Sequence, residues 1–206
     1  MNKNLAVRIL ISFLGLILCG VGVSLFLYTG MGVDPASVLE LGIGNVAGIS
    51  YGSASAILNI LILFLVFIVD RHYINISSFI AIFGIGYTAD IVRSILDILI
   101  KSEPGIIMKI VMLIIGLVVM AIGIATYIRA DLGVGAIDLV SEIISQKLRI
   151  SYRLVRVIGD SSFVVIGYLL GGTVGVGTVL AVFMIGPVVQ FVRPYVHKVL
   201  NRVLAH

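Results

Sequence analysis

Two short polar stretches interrupt the apolar sequence and hold the groups best suited to bind a solute: RADLGVGAID at residues 129–138 and YTGMGVDPAS at residues 28–37. The pair Asp34 and Pro35 is typical of a helix start, because the carboxylate accepts backbone N–H groups and Pro fits the first helical position. Glycines permit tight turns and let a ligand approach the backbone closely. We expect a small solute to bind at Gly32, Asp34, Gly133, Gly135 and Asp138.

Ionisable and amide side chains also fall inside long apolar runs, where a charge is costly and usually faces a partner or a cavity. Asp90, Arg93 and Asp97 lie at i, i+3 and i+7, so they share one helix face. Arg156 precedes Asp160 by four residues, which allows a pair within one helix. Both sets are consistent with coupling protons or counter-charges in transport and, equally, with structural contacts between helices. The intramembrane candidates are Asn59, Asp90, Arg93, Arg156 and Asp160.

The composition is that of a membrane protein. Of the 206 residues, 60% are hydrophobic and only 12% are charged, and the mean hydropathy is +1.23. A helix needs about 20 apolar residues to cross roughly 30 Å of hydrocarbon. We therefore predict a single all-α integral membrane domain over residues 1–206. Its six transmembrane helices are expected at about 9–28, 53–69, 77–99, 106–127, 154–170 and 174–192.

The two halves of the sequence repeat each other at an offset of 101 residues, which shortens to 100 in the last helix. The Ile-Ser-Tyr of residues 49–51 recurs at 150–152, and the Val-Arg of residues 92–93 recurs at 192–193. Each half contains three spanning helices, an odd number, so the second half must enter the membrane from the opposite face. Inverted repeats of this kind are the architecture of many secondary transporters. The repeats cover about residues 7–100 and 106–194, and a basic tail follows at 193–206.

Each half also contains a short helical pattern between its first and second spanning helices. The first runs from Pro35 to about Gly48 and the second from Ala136 to Leu148, and about 13 residues are too few to span a bilayer. These helices must lie at the interface or re-enter the membrane. Re-entry is favoured for the first, which has no basic residue and is rich in glycine. The start of a re-entrant helix, with about half a positive charge, suits a polar or anionic solute.

The distribution of charge predicts the orientation in the membrane. The net charge is +4, and most Lys and Arg residues fall on one side if six helices alternate, so the positive-inside rule places both termini in the cytoplasm. The basic tail is better suited to anionic lipid heads in the bilayer than to nucleic acid. The sequence contains no familiar catalytic or metal-binding motif, so we expect neither an enzyme nor a cofactor. Glycine-rich helix faces favour a homodimer.

Three motifs carry a resemblance to a known family. The stretch ADLGVGAID occupies residues 130–138, GVGT occupies 175–178 and IGP occupies 185–187. In this order and spacing they resemble the YczE/YyaS/YitT-like bacterial integral membrane proteins, over essentially the whole chain. The family usually has an aromatic residue where this chain has Ile137, so aromatic stacking is not expected there. The resemblance implies a multi-pass protein of the bacterial inner membrane that is often supposed to transport something, and it indicates no substrate.

Two functions follow from these patterns. The first is a small secondary transporter that moves a polar or anionic small solute by alternating access between the inverted repeats. The second is a membrane scaffold that transports nothing and docks a cytoplasmic partner through the basic segment 147–156 and the tail.

Overall fold

The computed structural model describes residues 3–70, 76–132 and 135–204, and these ranges fold into α-helices without a strand. The first four helices are α1 (Lys3–Thr29), α2 (Pro35–Ala47), α3 (Tyr51–Asp70) and α4 (Ile76–Leu99). The other four are α5 (Ile106–Ala130), α6 (Ala136–Leu148), α7 (Tyr152–Leu169) and α8 (Val176–Leu204). An all-α membrane protein was predicted, and the all-helical fold is confirmed for the described residues.

Five of these helices, α1, α3, α4, α5 and α8, are long and apolar enough to cross a membrane. They expose many large hydrophobic side chains, as expected of surfaces that face lipid. The helix α7 is not among the five, because its 18 residues include three charged ones, Arg153, Arg156 and Asp160. The apolar run predicted at 154–170 therefore forms a helix whose first half is markedly polar. Six spanning helices in two inverted repeats remain a prediction.

The helices α1 to α4 recur in order as α5 to α8. Both α6 and α7 begin 101 residues after their counterparts α2 and α3, and α8 begins 100 residues after α4. The helix contacts of the two halves correspond in the same way. Within each half the first long helix packs on the last one, α1 on α4 and α5 on α8. Each short helix packs on a helix of the other half, α2 on α7 and α6 on α3. The short helices thus connect the two halves.

The helices α1 and α5 form the most extensive contact in the fold, and they cross in antiparallel directions. A Cβ at Gly22 would lie 2.7 Å from the carbonyl oxygen of Gly116, and a Cβ at Gly15 would lie 2.9 Å from that of Gly123. At the repeat offset of 101 residues, Gly22 corresponds to Gly123 and Gly15 corresponds to Gly116, so the two contacts are counterparts of each other. The two equivalent helices are therefore related by a pseudo-twofold operation about their crossing.

The short helix α2 is held inside the protein. Its residues Pro35, Val38, Leu39 and Gly42 are buried, and a Cβ at Gly42 would lie 2.6 Å from the carbonyl oxygen of Gly167 in α7. Val38 belongs to the main hydrophobic core, together with side chains of α1 and α5. The core therefore fixes the start of α2 beside the crossing of α1 and α5.

The close approach of α1 and α5 generates a first prediction. Gly22→Ala forces the two backbones apart, because its Cβ would meet the backbone of Gly116, and we expect a loss of about 1–3 kcal/mol. That corresponds to a fall in apparent Tm of roughly 2–10 °C for a chain of this size. Circular dichroism of the detergent-solubilised protein during heating measures it.

Gly186→Ala is the matched control, because Gly186 also lies within a helix but has open space around it. Its apparent Tm should stay unchanged or rise, since Ala favours a helix over Gly. Equal apparent Tm values for Gly22→Ala and the unmodified chain would contradict the close packing.

Candidate functional site

A cavity of about 150 Å³ with one apolar and one polar wall lies between the two halves, where both short helices begin. We call it the central cavity. Its apolar wall comes from α1, α4 and α5, including Leu16, Cys19, Ala81, Met120 and Ile124. Its polar wall comes from both short helices and from α3 and α7: Asp34, Ser37, Glu40, Tyr51, Ser55, Asn59, Gly135 and Arg156.

The start of α2 is built by local sequence. Asp34 is the N-cap residue, and its carboxylate accepts the backbone N–H of Ser37 at 3.3 Å and the Ser37 hydroxyl at 2.6 Å. Gly32 has a φ of +105°, which favours glycine, and a Cβ there would lie 2.6 Å from the backbone nitrogen of Gly175. Gly32 therefore shapes the turn that delivers Asp34, and it does not itself line the central cavity.

Glu40 is the most buried carboxylate of the site, with 4% of its surface exposed. The Ser55 hydroxyl donates a hydrogen bond to its Oε1 at 2.9 Å, and the Tyr51 hydroxyl also hydrogen-bonds the Glu40 carboxyl. Tyr51 and Ser37 lie 2.9 Å apart, oxygen to oxygen. A continuous chain of hydrogen-bonding groups thus joins Asp34 at the helix start to Glu40.

The Asn59 side chain extends this chain along α3, where its amide nitrogen donates to the carbonyl oxygen of Ser55 at 2.8 Å. Residues 51, 55 and 59 follow one another at intervals of four, so one face of α3 presents all three polar groups to the central cavity. The arrangement can orient a small polar solute by its donors and acceptors.

Glu40 is poised to change charge near neutral pH. Burial raises the pKa of Glu40 from 4.5 to about 7, hydrogen bonds from Tyr51 and Ser55 act in the opposite direction, and the nearby Asp34 carboxylate adds to the rise. Among the described side chains no ion pair involves Glu40. Arg156 lies on the wall of the same cavity and pairs with Asp160, with 3.0 Å between Nε and Oδ2. The central cavity is therefore lined by two carboxyl groups, those of Asp34 and Glu40, and by the Arg156 member of a partly buried ion pair.

The residues that the sequence suggested for charge coupling lie in three different cavities of the structure. Asn59 and Arg156 line the central cavity, whereas Asp160 lines an apolar recess among α3, α6 and α7. Asp90 accepts the backbone N–H of Gly52 at 2.9 Å, and Arg93 is exposed. Asp90 and Arg93 line a separate polar recess near the start of α3. Asp90 thus joins α3 to α4, and neither Asp90 nor Arg93 lines the central cavity.

The candidates for solute binding are also divided. Asp34 and Gly135 line the central cavity and place the starts of α2 and α6 there. Gly133 and the side chain of Asp138 lie outside the described residues.

Sequence reasoning missed Ser37, Glu40, Tyr51 and Ser55, which together with Asp34 form the polar chain. One signal was present, because Glu40 is the only charged residue within the 13 residues of α2. A single carboxylate in a short, glycine-rich helix that packs inside a membrane protein is a candidate for a buried, functional acid.

Comparisons with known proteins give a family and no activity. Residues 6–194 match the family of unknown function DUF6198. An uncharacterized protein of Haemophilus influenzae is 30% identical over 172 residues, which are 84% of this chain and 77% of that protein. The uncharacterized membrane protein YczE of Bacillus subtilis is 26% identical over 206 residues, which are 100% of this chain and 94% of YczE.

The uncharacterized protein YyaS of Bacillus subtilis is 24% identical over 185 residues, which are 90% of this chain and 92% of YyaS. No solved structure matches the chain. The resemblance inferred from the glycine motifs is thereby confirmed.

The raised pKa of Glu40 generates a second prediction. The folded protein holds the Glu40 proton more tightly than the unfolded chain does. Protonation of Glu40 therefore adds to the free energy of unfolding, fully below about pH 4.5, and this contribution is lost as pH rises through about 7. Glu40→Gln keeps a neutral side chain, so we expect its apparent Tm to fall less than that of the unmodified chain between pH 5 and 8. Circular dichroism melts across that range measure the slope.

Glu103→Gln is the control, because Glu103 is exposed in the linker between α4 and α5. It should reproduce the slope of the unmodified chain. An identical slope in Glu40→Gln would show that Glu40 does not titrate in this range.

Proposed function

The chain belongs to DUF6198, a family of unknown function, and we propose that it is a small secondary transporter that carries a polar or anionic small solute across the bacterial inner membrane by alternating access. The observation that carries the proposal is the central cavity, which is lined by residues of both halves, including the starts of both short helices. A site at the junction of two related halves is where such carriers bind their solutes.

The proposed architecture has six spanning segments in two inverted repeats, with both termini in the cytoplasm. The antiparallel crossing of α1 and α5 supports it, since equivalent helices that run in opposite directions belong to oppositely oriented copies. In this arrangement α7 is the sixth segment. Its Arg156 and Asp160 pair with each other, which lowers the cost of placing them at membrane depth.

The size and chemistry of the central cavity limit the solute. A cavity of about 150 Å³ holds a molecule the size of benzene, so the solute should have about six heavy atoms. The start of α6, which has no side-chain cap, favours negative charge together with Arg156, whereas the start of α2 is already capped by Asp34. The hydroxyls of Ser37, Tyr51 and Ser55 favour hydrogen-bonding groups. A small hydroxylated or carboxylated solute meets both conditions.

Glu40 is proposed as the residue that couples a proton to solute movement. Asp90 and Asp160 suit this role less well, because Asp90 accepts the N–H of Gly52 and Asp160 pairs with Arg156. A neutral Glu40 is compatible with closure of the apolar wall, whereas a charged Glu40 requires a solute or water beside it. Release of the proton would therefore accompany a change in occupancy of the cavity.

The alternative is a scaffold that transports nothing and docks a partner through segment 147–156 and the tail. Such a protein needs no access to the central cavity from two sides. Accessibility therefore separates the two functions without knowledge of the solute.

Ala36 lines the central cavity beside Asp34, and it supplies the third prediction. In a Cys19→Ala background, which has no other cysteine, we expect Ala36→Cys to react with a membrane-impermeant maleimide from either face. Right-side-out and inverted vesicles present the two faces separately. After the faster reaction of every thiol at pH 8 is corrected with a solvent-exposed cysteine, labelling should also differ between pH 6 and pH 8, because Glu40 lines the same cavity.

Lys101→Cys is the control, since Lys101 is exposed in the linker between α4 and α5. It should react from one face only. Reaction of Ala36→Cys from a single face at every pH would favour the scaffold over the carrier.

A further inference from the structure

Another polar recess lies at the end of the bundle where α5 and α8 meet. It has a volume of about 320 Å³ and shares no lining residue with the central cavity. We call it the basic recess. It is lined by Ile128, Arg129, Asp131, Arg193, His197 and Asn201.

The charge of the basic recess is positive. Arg129 and Arg193 both carry a full charge at any physiological pH. The Asp131 carboxylate has its own partner, Arg8, with 3.6 Å between Nη1 and Oδ2. Arg193 is exposed and forms no ion pair with the described side chains. The recess thus offers a guanidinium group that none of the described carboxylates neutralises.

His197 supplies the second feature that indicates a ligand. Its Nε2 is buried and has no hydrogen-bond partner among the described residues. An unpaired buried polar atom destabilises the folded state, so a group that fills the recess and pairs with this nitrogen would remove that penalty. An anion oxygen is such a group, since it accepts hydrogen bonds from imidazole and guanidinium together.

The first repeat provides an internal comparison. The Tyr28 hydroxyl donates to the carbonyl oxygen of Ile100 at 3.3 Å and ties α1 to α4, just as Arg129 donates to Asn201 at 2.8 Å and ties α5 to α8. The counterpart of Arg193 is Arg93, but that of His197 is Asp97. The positions in the first repeat therefore balance one Arg with one Asp, and only the second repeat concentrates positive charge.

The face of α8 opposite the basic recess is apolar and aromatic. On this face Phe191, Tyr195 and Val199 are exposed, and the rings of Phe191 and Tyr195 lie 5.6 Å apart, centroid to centroid. They are two residues along the helix from Arg193 and His197, so they lie at the same level of α8 as the recess. Aromatic and basic side chains at one level are typical of the membrane interface, where lipid phosphates lie.

We propose that the basic recess binds a phosphate group, through Arg129, Arg193 and His197, and that an anionic phospholipid supplies it. The site is separate from the central cavity and does not depend on transport.

The full chain in a mild detergent, titrated with phosphatidylglycerol, phosphatidylcholine or inorganic phosphate, tests the proposal by its apparent Tm. We expect phosphatidylglycerol to raise the apparent Tm in a saturable manner, because a ligand of the folded state stabilises it. Arg193→Gln combined with His197→Gln should weaken the apparent affinity about tenfold or more, since it removes charge-assisted hydrogen bonds. Phosphatidylcholine, which has no net charge, should bind more weakly.

Two variants serve as controls. Arg93→Gln makes the same change at the equivalent position of the first repeat, and Lys198→Gln removes a neighbouring exposed charge of α8. Both should retain the response to phosphatidylglycerol. An unchanged response in the double variant, or an equal loss in Lys198→Gln, would overturn the site. A response to inorganic phosphate that matches that of phosphatidylglycerol and is lost in the double variant supports the site and identifies free phosphate as its source.

Discussion

The backbones of α1 and α5 meet at four glycines, and the position of every other functional group depends on that contact. Side chains at Gly15, Gly22, Gly116 and Gly123 would collide with the opposite backbone. Because they are absent, the two halves come close enough for Leu16 and Met120 to form one wall of the central cavity. In lipid there is little hydrophobic drive between helices, so close packing at small residues is the main source of association.

The second constraint is the satisfaction of polar groups away from water. The first turn of a helix leaves backbone N–H groups without partners, and α2 begins inside the protein with Asp34 as their acceptor. The carboxylate then serves as one end of the chain through Ser37 and Tyr51 to Glu40. Tyr51 has a single hydroxyl proton, so it can donate to Ser37 or to Glu40 but not to both. Loss of the Glu40 proton would therefore reorient a hydrogen bond at the start of α2.

Local patterns were sufficient to predict the helices, and long-range contacts were not readable from them. The Asp-Pro signal marks the start of α2 at Pro35, and the amphipathic pattern matches α6 at Ala136–Leu148. The role of Asp90, by contrast, depends on the backbone of Gly52 in another helix, which no spacing along the chain reveals. Glu40 was missed for the same reason, because its burial depends on the packing of α2 against α3 and α7.

Equivalent positions in the two halves should lie on opposite faces of the membrane, and this is the central claim. Ser50 and Ser151 are exposed, 101 residues apart, and each lies just before the second long helix of its half. With Cys19→Ala, single-cysteine variants Ser50→Cys and Ser151→Cys can be labelled with an impermeant maleimide in right-side-out and inverted vesicles. Inverted repeats predict that the two cysteines label from opposite faces. Labelling of both from the same face would contradict inverted repeats and, with them, the alternating carrier.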